Sequence, residues 1–221
     1  MSVALRAARQ FGVKLDSLHL DSSSFHVDGE YPQSQAEVAE PGTIHITHGY
    51  SRDHRPDLKQ FIGDLMYGGD GDIPLYLRVG DGNETDSAIF GKLVTQFKQQ
   101  WDIDALFVAD AALYTHRNLT QMSQLRWVSR VPVTLTAAKQ LLLEINSSAF
   151  VTSSLSGYKI AACGNSCAGR FILASNVLDE QVLSDEDVLT EDKAQQATER
   201  GFRFLKDPRM FQCFMSIHLS R

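Results

Sequence analysis

The sequence has no long apolar run, few cysteines and no excess of positive charge, and each absence narrows what the chain can be. No segment approaches the roughly 18 apolar residues that a membrane-spanning helix needs. The 3 cysteines are an odd number without a repeated Cys-x-x-Cys spacing, so we expect free thiols and a cytoplasmic protein. The formal net charge of -6 argues against binding to nucleic acid through overall charge alone.

The short motifs of several large enzyme classes are also missing. The chain contains no Walker A loop, no dinucleotide-binding Gly-x-Gly-x-x-Gly and no Gly-x-Ser-x-Gly around a nucleophilic serine. It has no internal repeat and no coiled-coil heptads. What remains is a 221-residue chain with 43% hydrophobic and 22% charged residues, a composition typical of a globular protein with a sizeable core.

The apolar patterns predict alternating strands and helices. We expect a short helix at residues 2–14 and a longer one at 86–101, where apolar residues recur at helical spacing. A half-buried strand is predicted at 18–27, and the alternation in TIHITHGY predicts a second strand paired antiparallel to it. Further strands are predicted in IPLYLRV, ALFVAD, WVSRVPVT and RFILASN, with two helical stretches around WVSRVPVT and a final helix in ATERGFRFLKDP.

Two aspartates lie at the ends of strand-like runs. Asp110 follows five apolar or small residues, the pattern of a central strand buried on both faces. Its carboxylate would emerge at the carboxyl end of that strand, where open α/β sheets place their ligands. Taken alone, Asp21 could be a turn residue and Asp110 could have a structural role.

The last predicted helix carries a charged face. Glu199, Arg203 and Lys206 stand at positions i, i+4 and i+7, so they point the same way on an α-helix. This pattern is also that of an ordinary amphipathic helix with charge pairs on its surface. It indicates chemistry only if other carboxylates meet Glu199, and the candidates are Asp21 and Asp110.

The order of elements matches an RNase H-like α/β fold, a mixed sheet flanked by helices. In that fold, carboxylates from the first strand, the fourth strand and the last helix converge, which are the places of Asp21, Asp110 and Glu199. We interpret residues 1–221 as a single domain whose weakest part is the Ser- and Gly-rich segment 144–170.

Seven blocks of the sequence together resemble DDE transposases of bacterial insertion sequences. The similar group has its third acidic residue in a Tyr-x2-Arg-x3-Glu-x6-Lys pattern, and GYSRDHRPDLKQ is the most specific block. The resemblance covers residues 15–209. The blocks are LHLDSSSFHVDGEY, ITHGYSRDHRPDLKQF, DGNETDS, FVADAALYT, WVSRVPVTL, GRFILASNVL and ERGFRFLKDP.

This resemblance implies DNA transposition by magnesium-dependent strand cleavage and strand transfer on double-stranded DNA, at transposon ends and target. It implies that Asp21, Asp110 and Glu199 are the catalytic triad and hold two Mg²⁺ ions, for which Mn²⁺ could substitute. Lys206 fills the family's lysine place near the DNA end. The predicted DNA-binding residues are Lys206, Arg203, Arg52, Arg55 and Lys59. The implied assembly is a homodimer or a mixed assembly with a full-length transposase.

The chain also departs from the family pattern. Asp192 and Gln195 occupy the tyrosine and arginine places, only 20 residues precede Asp21, and CGNSCAGRFIL joins two blocks directly. We therefore expect a truncated, internally deleted transposase, inactive or impaired. The alternatives are a non-catalytic DNA-binding or transposase-partner remnant with a regulatory effect, and a translated pseudogene that does not fold.

Overall fold

The computed structural model describes residues 3–29, 43–51, 54–70, 73–101, 103–161, 171–196, 201–203 and 206–207. Within these ranges the helices are α1 (Val3–Gln10), α2 (Asp86–Trp101), α3 (His116–Gln121), α4 (Thr136–Glu144) and α5 (Asp185–Ala194). The strands are β1 (Ser17–Val27), β2 (Lys59–Gly68), β3 (Pro74–Gly80), β4 (Leu106–Ala109), β5 (Arg126–Arg130), β6 (Val151–Thr152), β7 (Lys159–Ile160) and β8 (Leu173–Ser175). None of the described helices is long and apolar enough to cross a membrane.

Six of these strands form one mixed sheet in the order β3-β2-β1-β4-β5-β8. The first three strands are antiparallel neighbours, β1, β4 and β5 run parallel, and β8 is antiparallel to β5. With helices packed on it, this is the topology of an RNase H-like α/β fold, as the order of predicted elements indicated. A separate two-stranded ribbon of β6 and β7 lies between β5 and β8 in the sequence.

Two hydrophobic layers cover the two faces of the sheet. On one face, the apolar side of α2, including Phe90 and Phe97, packs with Leu18, Leu20 and Phe107 of the central strands. The other face has two smaller clusters. One joins Leu106, Val108 and Val128 to residues that include Val188 of α5, and the other joins Phe25 and Leu65 to Phe202. The all-buried run of β4 therefore lies between helices on both faces.

The predicted second strand, TIHITHGY, is wrong. The antiparallel partner of β1 is β2, and the segment 43–50 makes only an isolated bridge between Thr47 and Gln60. The segment's other polar groups have different partners, since the backbone N–H of His45 donates to the Asp81 carboxylate at 2.8 Å. The backbone carbonyl of Tyr50 accepts from the side chain of Gln60 at 3.1 Å.

The start of α5 is fixed by its own sequence. The Ser184 hydroxyl accepts the backbone N–H of Asp187, and the Asp187 carboxylate accepts the backbone N–H of Ser184, which is a capping box. The loop between β6 and β7 packs on the first turn, where the hydroxyl of Ser153 donates to Glu186 at 2.7 Å. The same carboxylate accepts the backbone N–H of Ser154 at 3.1 Å, so the ribbon is held against α5.

The weak segment predicted at 144–170 is described as far as residue 161. It contains a short 3-10 helix, Ser147–Ala149, and the strands β6 and β7. The Cys163–Cys167 region, where the sequence indicates a deletion junction, lies outside the described residues. The junction and the single-domain interpretation stay predictions.

Candidate active site

The sheet brings Asp21 and Asp110 side by side. The parallel pairing of β1 and β4 matches Leu20 with Ala109, and each of these residues is followed directly by one of the two aspartates. Because neighbouring strands are 4.7–4.9 Å apart, continuing this register places their Cα atoms about 5 Å apart. Side chains alternate along a strand, so both carboxylates belong to the face that carries Val108 and α5. Both residues are half-buried.

Backbone hydrogen bonds orient the two carboxylates. The N–H of Ser22 donates to Asp21 Oδ1 at 2.8 Å, and the N–H of Ala112 donates to Asp110 Oδ1 at 3.0 Å. The second bond is an Asx-turn, which lets the chain leave β4 just where the carboxylate emerges. The Ser129 hydroxyl donates to the backbone carbonyl of Asp110 at 2.8 Å, so β5 also fixes this end of β4.

A buried charge network lies on the opposite face, one residue along β1 from Asp21. The Ser22 hydroxyl donates to the carboxylate of Asp64, which is 0% exposed. Arg78 from β3 donates to Asp64 at 2.7 Å and to Glu84 at 2.7 and 2.8 Å. Burial raises the pKa of Asp64, while the hydrogen bonds from Ser22 and Arg78 act against that rise. The network joins β1, β2 and β3 beside the candidate site.

The predicted third carboxylate, Glu199, lies outside the described residues. Before it in sequence, Glu191 Oε2 lies 3.0 Å from Nε2 of the fully buried His19 on β1, although out of line for a hydrogen bond. After it, Phe202 packs against Phe25, with ring centroids 6.3 Å apart. The described residues that flank Glu199 in sequence therefore contact β1 on either side of Asp21.

The predicted DNA contacts are spread along the structure. Arg203 is exposed, and the Lys206 ammonium lies 5.7 Å from the ring centroid of Phe25, four residues along β1 from Asp21. Arg55 is exposed and donates two hydrogen bonds of 2.8 and 2.9 Å to the carboxylate of Asp57.

Lys59 pairs with Val27, six residues along β1 from Asp21, which corresponds to roughly 20 Å. The structure thus does not bring Lys59 beside the two aspartates. Arg52 lies outside the described residues. The five predicted DNA contacts stay predictions.

Sequence reasoning missed an ion pair next to Asp110. Arg130 ends β5 one position after the pairing of Ala109 with Ser129, so it stands beside Asp110 in the register. Its guanidinium donates to the buried carboxylate of Asp192 on α5 at 2.7 and 2.9 Å. The sequence did contain a sign of this position, because Arg130 ends the run of β5 just as Asp110 ends the apolar run of β4.

The same ion pair shows how the protein accommodates a negative charge at Asp192, the position that corresponds to the tyrosine of the Tyr-x2-Arg-x3-Glu-x6-Lys pattern. Asp192 is 3% exposed and lies between the Arg130 guanidinium and the Lys193 ammonium, 3.0 Å away. Its negative charge is therefore balanced inside the protein. The hydrogen bonds to Asp192 raise the pKa of Arg130, and the negative charges of Asp192 and Asp110 add to this rise.

The two aspartates are candidate metal ligands. Within the part of the chain that the structure describes, no group of three or more His, Cys, Asp or Glu side chains could hold a metal ion. Asp21 and Asp110 are two oxygen-donor residues of the kind that Mg²⁺ and Mn²⁺ take. The predicted third ligand, Glu199, lies outside the described ranges.

No family model matches the sequence, and no curated protein matches it. Among solved structures, the chain is similar to a Mos1 transposase paired-end complex with the left transposon end, at 13% identity and a TM-score of 0.33. It is also similar to a pre-cleavage Mos1 transpososome, at 11% and 0.32, and to a Mos1 mariner paired-end complex with Mn, at 14% and 0.31. These matches cover 57%, 56% and 61% of this chain and only 38%, 39% and 41% of the Mos1 chains.

Proposed function

We propose that this chain carries the acidic site of a DDE transposase of the bacterial insertion-sequence type. Such a site serves DNA strand cleavage and strand transfer, which move a phosphoryl group between oxygen nucleophiles. The observation that carries the proposal is the strand register, which sets Asp21 of β1 beside Asp110 at the carboxyl end of β4. Two half-buried carboxylates at neighbouring strand positions repel each other unless a cation lies between them, so the pair favours a cation-binding role.

The donor chemistry of the pair fits divalent metal ions. Mg²⁺ takes hard oxygen ligands and keeps several waters, so two or three carboxylates suffice to hold it. We propose Asp21, Asp110 and Glu199 as ligands of two Mg²⁺ ions, with Mn²⁺ as a substitute. When bound, the ions would help activate the attacking oxygen and stabilise the leaving oxygen of the phosphodiester.

The protein contributes rigid positioning. Each aspartate accepts a backbone N–H on one oxygen, which restricts rotation of the carboxylate. Asp21 lies within β1 and Asp110 directly follows β4, and these two strands are neighbours in the centre of the sheet. Glu199 is included because the residues flanking it, Glu191 and Phe202, contact β1 on either side of Asp21. Lys206 and Arg203 follow Glu199 closely in sequence, and we propose that they contact phosphates of the bound strand.

Metal binding tests the proposal without any knowledge of the DNA sequence. Binding of Mn²⁺ would be followed by electron paramagnetic resonance for the wild type, Asp21→Asn and Asp110→Asn. Asp81→Asn is the matched control, because Asp81 is also a half-buried aspartate that accepts a backbone N–H, but it lies beyond the edge strand β3. We expect Mn²⁺ affinity to fall about tenfold or more in Asp21→Asn and Asp110→Asn, and to stay unchanged in the control. Equal binding by all four proteins would refute the proposed site.

Strand cleavage would be measured as nicking of supercoiled plasmid in Mg²⁺ or Mn²⁺, which requires no terminal-repeat sequence. Nicking that is lost in Glu199→Gln but kept in Glu180→Gln, a control at an exposed glutamate, would show an active triad. Metal binding and DNA binding without nicking would identify a non-catalytic remnant, which is the outcome that the proposed internal deletion predicts. A cooperative thermal transition would contradict the pseudogene alternative.

A further inference from the structure

The end of β5 and the adjoining part of α5 place two cationic side chains around one buried carboxylate. The single carboxylate of Asp192 has two cationic partners, Arg130 at 2.7 Å and Lys193 at 3.0 Å. The Lys193 side chain is only 16% exposed, and its ammonium lies 4.0 Å from the ring centroid of Phe171 and 4.7 Å from that of Tyr158. Asp192 balances one of the two cations, so the cluster has a surplus of one positive charge, which lies beside the negative charge of Asp110.

That surplus is exposed at Arg130. The Arg130 side chain is 43% exposed, whereas its partner Asp192 is almost fully buried. The ion pair therefore leaves part of the guanidinium accessible to an anion from solution, while Lys193 also neutralises the charge of Asp192. The exposed cation stands beside Asp110, at the edge of the candidate active site.

The guanidinium is also held in one orientation. Asp192 accepts from Nε and Nη2, the two nitrogens of one edge of the planar group, and the ring of Phe171 lies 5.0 Å from the central carbon. Among the described residues, no hydrogen bond involves Nη1. An arginine fixed by a bidentate bond on one edge keeps donors on the other edge ready for a second anion at little entropic cost.

We propose that Arg130 binds a phosphate group of the nucleic-acid backbone beside the acidic site, and that Asp192 is the residue that positions it. The inference rests on the proposed function, because a DNA strand at Asp21 and Asp110 is what brings a phosphate to this place. It adds to the predicted contacts a cation that lies in the sheet directly beside Asp110. The chemistry is recognition of a phosphodiester by an oriented guanidinium, which positions the strand without reading its bases.

A pair of charge-neutral double variants tests this role. Arg130→Gln/Asp192→Asn removes one charge of each sign, so net charge is unchanged and a Gln–Asn contact can replace the ion pair. The matched control is Arg126→Gln/Asp104→Asn, because Arg126 starts the same strand, is 41% exposed and pairs with Asp104 at 3.2 Å. The probe is a fluorescein-labelled duplex of roughly 30 base pairs in CaCl2, with binding followed by anisotropy over a KCl series.

We expect the Arg130 double variant to bind about five- to tenfold more weakly at low salt, with a salt-dependence slope smaller by about 1. The Arg126 control should match the wild type in both measures. If the Arg130 double variant melts cooperatively and binds with an unchanged slope, the inference is wrong while the proposed function stands. If the wild type itself does not bind the duplex at low salt, both are wrong.

A second measurement does not depend on how the double variant folds. In the arginine Nε–H region of the ¹⁵N spectrum of the wild type, the Arg130 signal should move when the duplex is added, and the Arg126 signal should not. The Arg126 signal would be assigned by its loss in Arg126→Gln. An Arg130 signal that stays in place while other signals show binding would overturn the inference.

Discussion

Replacing Arg78 with methionine should destabilise the protein strongly, because among the described residues Arg78 is the only cation paired with the fully buried carboxylate of Asp64. Asp64 is 0% exposed and would keep only the Ser22 hydroxyl as a side-chain donor. Removing one partner of a buried ion pair typically costs 3–5 kcal/mol, and Arg78 is itself 24% exposed. We therefore expect a loss of about 3 kcal/mol at neutral pH, or a melting temperature lower by about 6–12 °C.

The loss should depend on pH, with a definite sign. Burial raises the pKa of Asp64 above its value in the unfolded chain, and removing Arg78 raises it further because a hydrogen bond that opposes the rise is gone. A carboxyl with a raised pKa in the folded state lowers stability as pH rises from the unfolded value through the folded value. The difference between wild type and Arg78→Met is therefore largest near neutral pH and shrinks as pH falls towards about 4.

Urea denaturation at several pH values would measure this difference, and adding Asp64→Asn to Arg78→Met should recover part of the lost stability. Arg55→Met is the control. Arg55 also forms an ion pair with an aspartate, Asp57, but both of these side chains are more than half exposed. Its loss of stability should be much smaller than that of Arg78→Met, because solvent screens an exposed ion pair. A loss in Arg78→Met that is equally small, or that does not change with pH, would refute the reasoning.

Three further predictions concern single positions and would be checked by urea denaturation. Asn118→Ala should cost about 2 kcal/mol, because this fully buried amide bonds three backbone groups that would lose their partner. Gly82→Ala should cost about 2 kcal/mol, since an added methyl group would overlap the backbone carbonyl of Gln60. Ser184→Ala should cost about 1 kcal/mol by removing the cap that accepts the N–H of Asp187. A cost near zero would contradict the role given to that residue.

The strands and helices that the sequence predicts well are those whose apolar pattern is complete within one segment of the chain. Helix α2 has the predicted bounds of 86–101, because its apolar spacing is set entirely within one segment. Strand β4 was predicted equally well, since an uninterrupted apolar run that ends in Asp110 is typical of a buried central strand. The order of strands and helices then indicated the fold.

Strand β2 was missed for a reason that lies in other parts of the chain. An aspartate in the middle of KQFIGDLMYG argues against a buried strand, and only contacts with Ser22 and Arg78 make Asp64 tolerable there. The alternation in TIHITHGY was a better local pattern, yet that segment forms only an isolated bridge with Gln60 of β2. A pattern within one segment cannot reveal partners supplied by distant strands.

The candidate site likewise has some features that are visible within one segment and others that depend on contacts between distant segments. That Asp110 ends a strand was visible in the sequence, but the prediction that Asp21 also lies at a strand end is wrong, because β1 continues to Val27. The closeness of the two aspartates depends on the pairing of β1 with β4 and was inferred from the fold. The role of Arg130 and Asp192 was hidden, because it depends on α5 crossing the sheet where β5 ends. Acidic residues in α5 gave no local sign that one of them is buried.

The pairing of β1 with β4 also sets how insertions and deletions would act on the site. β1 pairs with β2 over ten residues but with β4 over only four. One residue inserted into β4 would leave the composition almost unchanged, yet it would turn Asp110 to the opposite face of the sheet, among the apolar side chains that α2 covers. Two inserted residues would restore the face but move the carboxylate by about 7 Å. The relative position of the two aspartates is thus fixed by the number of residues in one short strand, and length changes there are less tolerable than most substitutions around it.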